Sequence, residues 1–283
     1  MPLTDFQRTV LLLLAAHRSP ESFVAGGTAI NVSPWSLRYS EDVDIFHDAE
    51  GKVTAAADAD SAVLVREGFE VTRLVEQRSF QRAMVSRGGE SLRLEWVQDS
   101  AFRFYPVQRD DQFGWRLHLA DLATNKVLAL AGRWEARDFV DTLYLDENFA
   151  SLGLLAWAAA GKDPGLTPML IIEQANRFNR LRPEAFQQVL TTKPLDLVAM
   201  KTRWRESVET ARELVMALPP EELGALYLDA QGRPANPLAV AGTQPHYVSL
   251  GGVWPQLVDE ATPLPDELRV QVDDQTLRRY GRD

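Results

Sequence analysis

The stretch FVAGGTAINVSPWSLRYSEDVDIFHD, residues 23–48, sets two glycines and a threonine after an apolar run and then threads Asp42 and Asp44 through a second apolar run. In a β-strand successive side chains alternate between faces, so the pattern predicts Asp42 and Asp44 side by side on one face with Val43 and Ile45 turned into the core. Two neighbouring carboxylates repel, and a strand that keeps them needs a compensating cation; an oxygen-ligated divalent ion such as Mg2+ or Mn2+ is the natural one. An isolated D-x-D also suits a solvated turn, so the flanking sequence has to decide. Upstream, Gly26, Gly27 and Thr28 stand between a strand-like run and a predicted helix, where small residues let backbone N–H groups approach a phosphate. Downstream, SLRLEWVQD (91–99) alternates Leu92, Leu94 and Trp96 with Arg93, Glu95 and Val97, which puts Glu95 on the non-core face as a candidate third carboxylate. Three carboxylates can hold two divalent ions that activate an attacking oxygen and neutralise a leaving pyrophosphate, the requirement of nucleotidyl transfer.

The remainder of the chain is consistent with an enzyme of ordinary globular make-up. It has 283 residues, 45% of them apolar and 25% charged, enough for a substantial core in two lobes. No window approaches the ~18 uninterrupted apolar residues of a membrane span, and VLLLLAAH (10–17) reads as part of a buried helix rather than an export signal. The cytosol is therefore the expected compartment. The absence of cysteine excludes disulfides and thiolate metal sites, and the net charge of −10 argues against binding nucleic acid over the whole surface while allowing a local basic groove.

Strand-like runs FVAGG, VDIF, FEVTRLV, QRAMVS and LRLEWV, with a helix over TAAADADSAVLVREGF, predict an α+β (α/β) lobe. Helical spacing takes over from HLADLATNKVLALAGRWEARDFVDTLYLDE and continues through TPMLIIEQANRFN, PEAFQQVL and PLDLVAMKTRWRESVETARELVMAL. The expected organisation is a catalytic lobe over 1–118, a helical lobe over 119–228, and a Pro- and Gly-rich, loosely structured extension over 229–283 that closes over one lobe. Within the helical lobe, Asp121 is a candidate N-cap, Leu122, Ala129 and Leu130 a buried stripe, and Lys126 a cation on another face. Asp138 and Asp141 share a helix face, where either can pair with Arg133 or Arg137, orient Lys126 or accept a proton.

The glycine turn, the D-x-D strand and a third acidic strand resemble the nucleotidyltransferase superfamily of DNA polymerase β type. GGTAINV followed by RYSEDVDIF, and later DLATNKVLALAGRWEARDFVDTLYL, is similar to the AbiEii/AbiGii toxin family of type IV toxin–antitoxin and abortive-infection systems, over residues of about 20 to 145. That resemblance implies a mixed-sheet lobe with a helical C-terminal lobe and transfer of a nucleoside monophosphate from an NTP; some relatives modify the acceptor end of tRNA. It implies nucleotide binding by Gly26, Gly27, Thr28, Arg38, Ser40 and Lys126, metal binding by Asp42, Asp44 and Glu95, and catalytic roles for Asp42, Asp44, Lys126, Asp138 and Asp141. An RNA acceptor and a cognate antitoxin protein are the implied partners. A small-molecule or protein hydroxyl as acceptor, a catalytically silent binding partner, and a glycosyltransferase that uses D-x-D for a nucleotide-sugar are the other readings.

The four histidines, His17, His47, His118 and His246, lack metal-ligand spacing, and His47 is expected in a loop. Arg177, Arg180, Arg182, Lys201, Arg203 and Arg205, with aromatic neighbours, suit an RNA backbone as well as a solvated helix face, and Trp204 is expected in the core.

Overall fold

The structure is a computed structural model and describes residues 3–32, 36, 38–99 and 102–249. In chain order it runs α1 (Asp5–Ala15), β1 (Ser22–Ala25), α2 (Gly26–Asn31), β2 (Asp42–His47), α3 (Glu50–Arg66), β3 (Glu70–Glu76), β4 (Phe80–Arg87), β5 (Glu90–Gln98), β6 (Gln108–Asp110), β7 (Gly114–Arg116), α4 (Leu119–Gly132), α5 (Ala136–Asn148), α6 (Leu152–Ala159), α7 (Pro168–Arg177), α8 (Leu197–Ala217), β8 (Leu226–Leu228) and β9 (Gln244–His246). Strands β1 to β7 form one mixed seven-stranded sheet in the order β3-β4-β5-β2-β1-β7-β6. The pairs β2·β5 and β1·β7 are parallel, and the other neighbours are antiparallel.

The alternation read from the sequence sets the two faces of this sheet. Val43, Ile45, Ala83, Val85, Leu94 and Trp96 are buried in one cluster with Val10, Leu11 and Leu14 of α1 and Val53, Ala57 and Leu64 of α3. Each large apolar side chain withdrawn from water there contributes roughly 1.5–3 kcal/mol, which makes this face the stronger determinant of register. Asp60 of α3 is buried beneath it, accepting from Trp96 Nε1 at 2.8 Å and from Arg18 Nη2 at 2.6 Å on each carboxylate oxygen. The opposite face carries Asp42, Asp44, Arg93, Glu95 and Arg82, and α4 and α5 stand over its edge through α2.

Several expectations change. His47 is the last residue of β2 and buried, so it is a strand residue rather than a loop residue. The helical pattern of 118–147 breaks at Arg133–Glu135 into α4 and α5, and PEAFQQVL gives only a 3-10 turn, Pro183–Phe186. The cap of α4 is His118, whose Nδ1 accepts from Ala120 N at 3.1 Å; Asp121 instead accepts from the backbone N–H groups of Phe104 and Tyr105 and pairs with Lys162 Nζ at 2.6 Å. Helix α6 is buried along its entire length, so it has no polar face and no period for sequence reading to detect. Trp204 is fully buried, edge-on to Phe139 at 5.0 Å.

Of the expected extension, residues up to 249 are described. β9 pairs with β8, His246 Nε2 lies 2.8 Å from Phe104 O, and Ser249 N donates to Arg103 O at 2.7 Å, so this part packs on the sheet lobe; residues 250–283 lie outside the described residues. No helix among the described residues is long and apolar enough to cross a membrane.

Candidate functional site

Parallel pairing of β2 with β5 sets Asp42 opposite Arg93 and Asp44 opposite Glu95. Residues paired in register point to the same face, so Asp42, Asp44 and Glu95 stand together, with Arg93 among them. Antiparallel pairing of β1 with β2 sets Ala25 opposite Asp44, and the chain turns into α2 at the next residue. That residue is Gly26, at φ +62°, and a Cβ there would lie 1.8 Å from Asp44 Oδ2. The glycine thus meets two demands at once, a left-handed backbone and contact of bare main chain with a carboxylate. At Gly27 a Cβ would lie 2.6 Å from Arg38 Nη2 and 2.9 Å from Ser40 Oγ. Thr28 is buried and its hydroxyl donates to Asp42 O, tying the turn to the acidic strand. Helix α2 has only six residues, so close backbone approach, more than a helix dipole, is what this turn offers an anion.

Arginines surround the carboxylates. Asp42 Oδ2 accepts from Arg93 Nη2 at 2.7 Å and Arg137 Nη1 at 3.1 Å, and Asp42 Oδ1 from Ser40 Oγ at 3.2 Å. Glu95 Oε1 accepts from Arg82 Nε at 2.9 Å and stands 3.3 Å from Arg93 Nε. Burial works to raise the Asp42 carboxyl, but the Arg93 hydrogen bond and the Arg137 charge together hold it below the usual range. Asp44 goes the other way: burial of its carboxyl, then the charges of Asp42 and Glu95, push it up to about 7 against the opposing pull of Lys126 and Arg137. Asp44 is therefore a buried carboxyl crowded by two others.

The helical lobe closes on the site through a second, buried network. Lys126 Nζ of α4 donates to Asp138 Oδ1 at 2.9 Å and lies 3.1 Å from Asp141 Oδ2. Arg38 binds Asp141 through Nε at 2.6 Å and Nη2 at 2.8 Å, and Asn31 Nδ2 reaches the same carboxylate at 3.2 Å. Arg133 binds Asp138 through Nε at 2.6 Å and Nη2 at 3.0 Å. Burial alone would raise both aspartates; the Lys126 and Arg133 charges hold Asp138 far below its usual range, and the Arg38 and Lys126 charges lower Asp141. Of the pairings expected from sequence, Asp138 with Arg133 is present, while Arg137 turns to Asp42 and Asp141 joins Arg38 across 103 residues of chain. Lys126 is not a free surface cation: it is buried, with two of its three N–H directions directed at carboxylates.

The sequence-derived site residues thus fall into one region, Gly26, Gly27, Thr28, Ser40, Asp42, Asp44 and Glu95 at the sheet face and Arg38, Lys126, Asp138 and Asp141 at the lobe junction. Arg82 and Arg93 escaped notice as site residues, although their alternation with the core residues of β4 and β5 carried the signal. A cavity of about 180 Å3 opens against Arg93 and Arg137, with Tyr39, Glu41, Glu135 and Gln188 also lining it. Among the described residues no cluster of three or more His, Asp or Glu side chains is already closed around a metal position. The donor set nevertheless has the chemistry of a hard divalent ion's ligands: three carboxylates on adjacent registered strands, one of them pushed up by burial and by its two acidic neighbours.

Four of the basic residues of 177–205 are engaged within the chain. Arg203 Nε pairs with Glu147 Oε1 at 2.8 Å, Arg205 Nε donates to Lys201 O at 3.2 Å, Lys201 Nζ donates to Leu181 O, and Arg177 lies 5.3 Å from the Trp134 ring centre. Glu147 is ten residues beyond Arg137 on α5, about 15 Å along the helix at ~1.5 Å per residue.

Comparison with known proteins gives a family. The sequence model described as nucleotidyl transferase AbiEii toxin, type IV TA system, matches residues 12–222, well over half of the chain. Among solved structures, MenT4, a nucleotidyltransferase toxin from Mycobacterium tuberculosis, is similar at 16% identity and TM-score 0.55, covering 76% of this chain and 83% of that one. JHP933 from Helicobacter pylori is similar at 18% identity and TM-score 0.45, covering 74% of this chain and 90% of that one. A search of curated proteins gave no match.

Proposed function

We propose, on the premise that this chain belongs to the AbiEii nucleotidyltransferase toxin family and is a nucleotidyltransferase, that it transfers a nucleoside monophosphate from an NTP to an RNA acceptor with the help of a divalent ion. The observation that carries the reading is the registered pairing of Asp44 with Glu95, two residues along from Asp42, beneath the bare backbone of Gly26. Asp42, Asp44 and Glu95 would hold Mg2+ or Mn2+, which when bound supplies charge neutralisation for the attacking oxygen and the leaving pyrophosphate. Of the turn, half-buried Gly26 would present its backbone to the triphosphate, with buried Gly27 and Thr28 fixing it against Arg38, Ser40 and the acidic strand. Lys126 contributes its remaining N–H direction to the same phosphates and is held in place by Asp138 and Asp141. Carboxyls held below their usual range are poor proton acceptors near neutrality, so in this reading both aspartates act by positioning Lys126 and Arg38. A polyanionic acceptor is supported by Arg93 and Arg137 at the mouth of the site. The family's type IV toxin–antitoxin label supports an antitoxin protein as partner and the cytosol as the compartment.

The test is incubation with each α-labelled NTP, Mg2+ and total RNA. Label retained in RNA and abolished by chelator supports the reading. Label that stays in NTP, or that enters protein or small molecules alone, rejects the RNA acceptor.

A further inference from the structure

Arg93 and Arg137 reach Asp42 from opposite lobes, one from β5 and the other from α5, and converge on a single oxygen, Oδ2. Their side chains are 33% and 28% exposed, whereas those of Arg38 and Lys126 are 4% and 7% exposed within the junction network. The clasp is therefore at the open side of the site, and both arginines line the cavity there. Arg137 Nε is buried and has no hydrogen-bond partner among the described residues, so the guanidinium has unused donor capacity. Glu41 and Glu135 are exposed in the same lining, so the cavity is of mixed charge, and the arginines of its lining that bind Asp42 are Arg93 and Arg137.

A divalent cation held by Asp42 competes with both guanidiniums for the same carboxylate and repels them. Strand and helix keep the displaced groups nearby, where they need an anion with oxygens spaced for their planar forks. A phosphate meets that need. We propose that Arg93 and Arg137 form a two-lobed phosphate clamp for the substrate, which Asp42 occupies in the absence of ligand and surrenders to a divalent cation, so that cation and phosphate bind cooperatively. This rests on the transfer reading above. The phosphate comes from the NTP or from the acceptor strand, and the two sources separate experimentally.

The experiment measures Mn2+ binding by the EPR signal of the free ion. It compares the full chain, Arg93→Gln, Arg137→Gln and Arg93→Lys, each alone, with a non-hydrolysable NTP analogue, and with an RNA oligonucleotide, after thermal melting confirms folding. Wild-type Mn2+ affinity is expected to rise about tenfold or more with the phosphate ligand that uses the clamp, and that ligand identifies the source. Removing one positive charge about 5 Å from a divalent ion is expected to tighten Mn2+ binding in the absence of ligand by on the order of tenfold in Arg93→Gln and in Arg137→Gln. The same variants are expected to lose most of the ligand-induced gain, and Arg93→Lys, which keeps the charge, to retain much of it. Glutamine variants with both wild-type Mn2+ affinity and wild-type coupling overturn the clamp while leaving the transfer reading intact. A wild-type chain that binds no Mn2+ even with NTP overturns both.

Discussion

Replacing Gly26 with alanine tests the junction between the glycine turn and the acidic strand. The new methyl would stand 1.8 Å from Asp44 Oδ2, 2.7 Å from Cγ and 3.0 Å from Cβ. An ordinary carbon–oxygen contact is about 3.3 Å, so the carboxylate must retreat by roughly 1.5 Å. It cannot do so by a flexible tip alone, because Asp44 is fixed by pairing with Ala25 on one side and Glu95 on the other. Overpacking of this kind costs about 1–3 kcal/mol, and the left-handed backbone at φ +62° adds roughly 1–2 kcal/mol for a residue with a Cβ. The total of about 2–5 kcal/mol corresponds to a fall in Tm of roughly 3–8 °C for a chain of 283 residues. A catalytic carboxylate misplaced by about 1 Å costs on the order of 100-fold in rate, so NMP transfer is expected to drop at least that far at a temperature where the variant remains folded. Gly68→Ala provides the control: its φ is +82° with nothing within 4 Å of the added Cβ, so it carries the backbone strain without the clash. Differential scanning calorimetry and a labelled-NTP assay on both variants separate the effects. A Gly26→Ala enzyme with wild-type turnover, or a Gly68→Ala enzyme equally impaired, would show that the contact of Gly26 with Asp44 does not matter to the site.

Four further outcomes follow from the charges. The Asp44 carboxyl is raised from 3.8 to about 7, so the metal-free protein binds an extra proton when folded and loses stability as pH rises from about 4 through 7; Asp44→Asn, or saturating Mg2+, is expected to flatten that part of the Tm-against-pH curve, and an unchanged slope contradicts it. Asp138 and Asp141 are depressed, so their contribution is present above about pH 4 and fades as pH falls further, giving a separate acid limb that Mg2+ leaves in place. Lys126→Met is expected to cost about 3 kcal/mol by leaving buried carboxylates short of a partner, and Lys126→Met/Asp138→Asn to recover stability but no transfer activity; recovery of both in the double variant returns the lysine to a purely structural role. RNA affinity is expected to fall more steeply with salt than NTP affinity, with Arg93→Gln lowering by about one the slope of whichever ligand supplies the clamped phosphate and Arg203→Ala, already paired with Glu147, leaving the RNA slope unchanged; parallel slopes for RNA and NTP remove the RNA acceptor.

The sequence was most legible where one face of an element is buried. Alternation through Asp42–His47 and Leu92–Val97 located the acidic face of both strands, and their registered pairing places Glu95 beside Asp44 without a slip. Contacts between distant segments were not legible: no local pattern connects Arg38 to Asp141, or Arg93 and Arg137 to one oxygen of Asp42. The sequence allows Asp138 or Asp141 to orient Lys126, but helical periodicity reports only the spacing of apolar residues and does not show that Lys126 is buried against both. The three-residue strands β6 and β7 are too short for alternation to register, yet β7 extends the sheet beside β1. His118 was passed over for want of metal spacing, although a side-chain acceptor just before a helix is itself a capping signal.

If the carboxylates gathered by the β2–β5 register are the seat of nucleotidyl transfer, their removal must stop pyrophosphate release. Pyrophosphate release measured for the wild-type chain, Asp44→Asn and Glu95→Gln, at saturating NTP and Mg2+ with the RNA acceptor and with folding verified by melting, tests it most directly. Wild-type release is expected to be coupled one-to-one to NMP appearing on the acceptor, with a loss of at least about 1000-fold in Asp44→Asn and Glu95→Gln also strongly impaired. Wild-type release from a folded Asp44→Asn protein contradicts it.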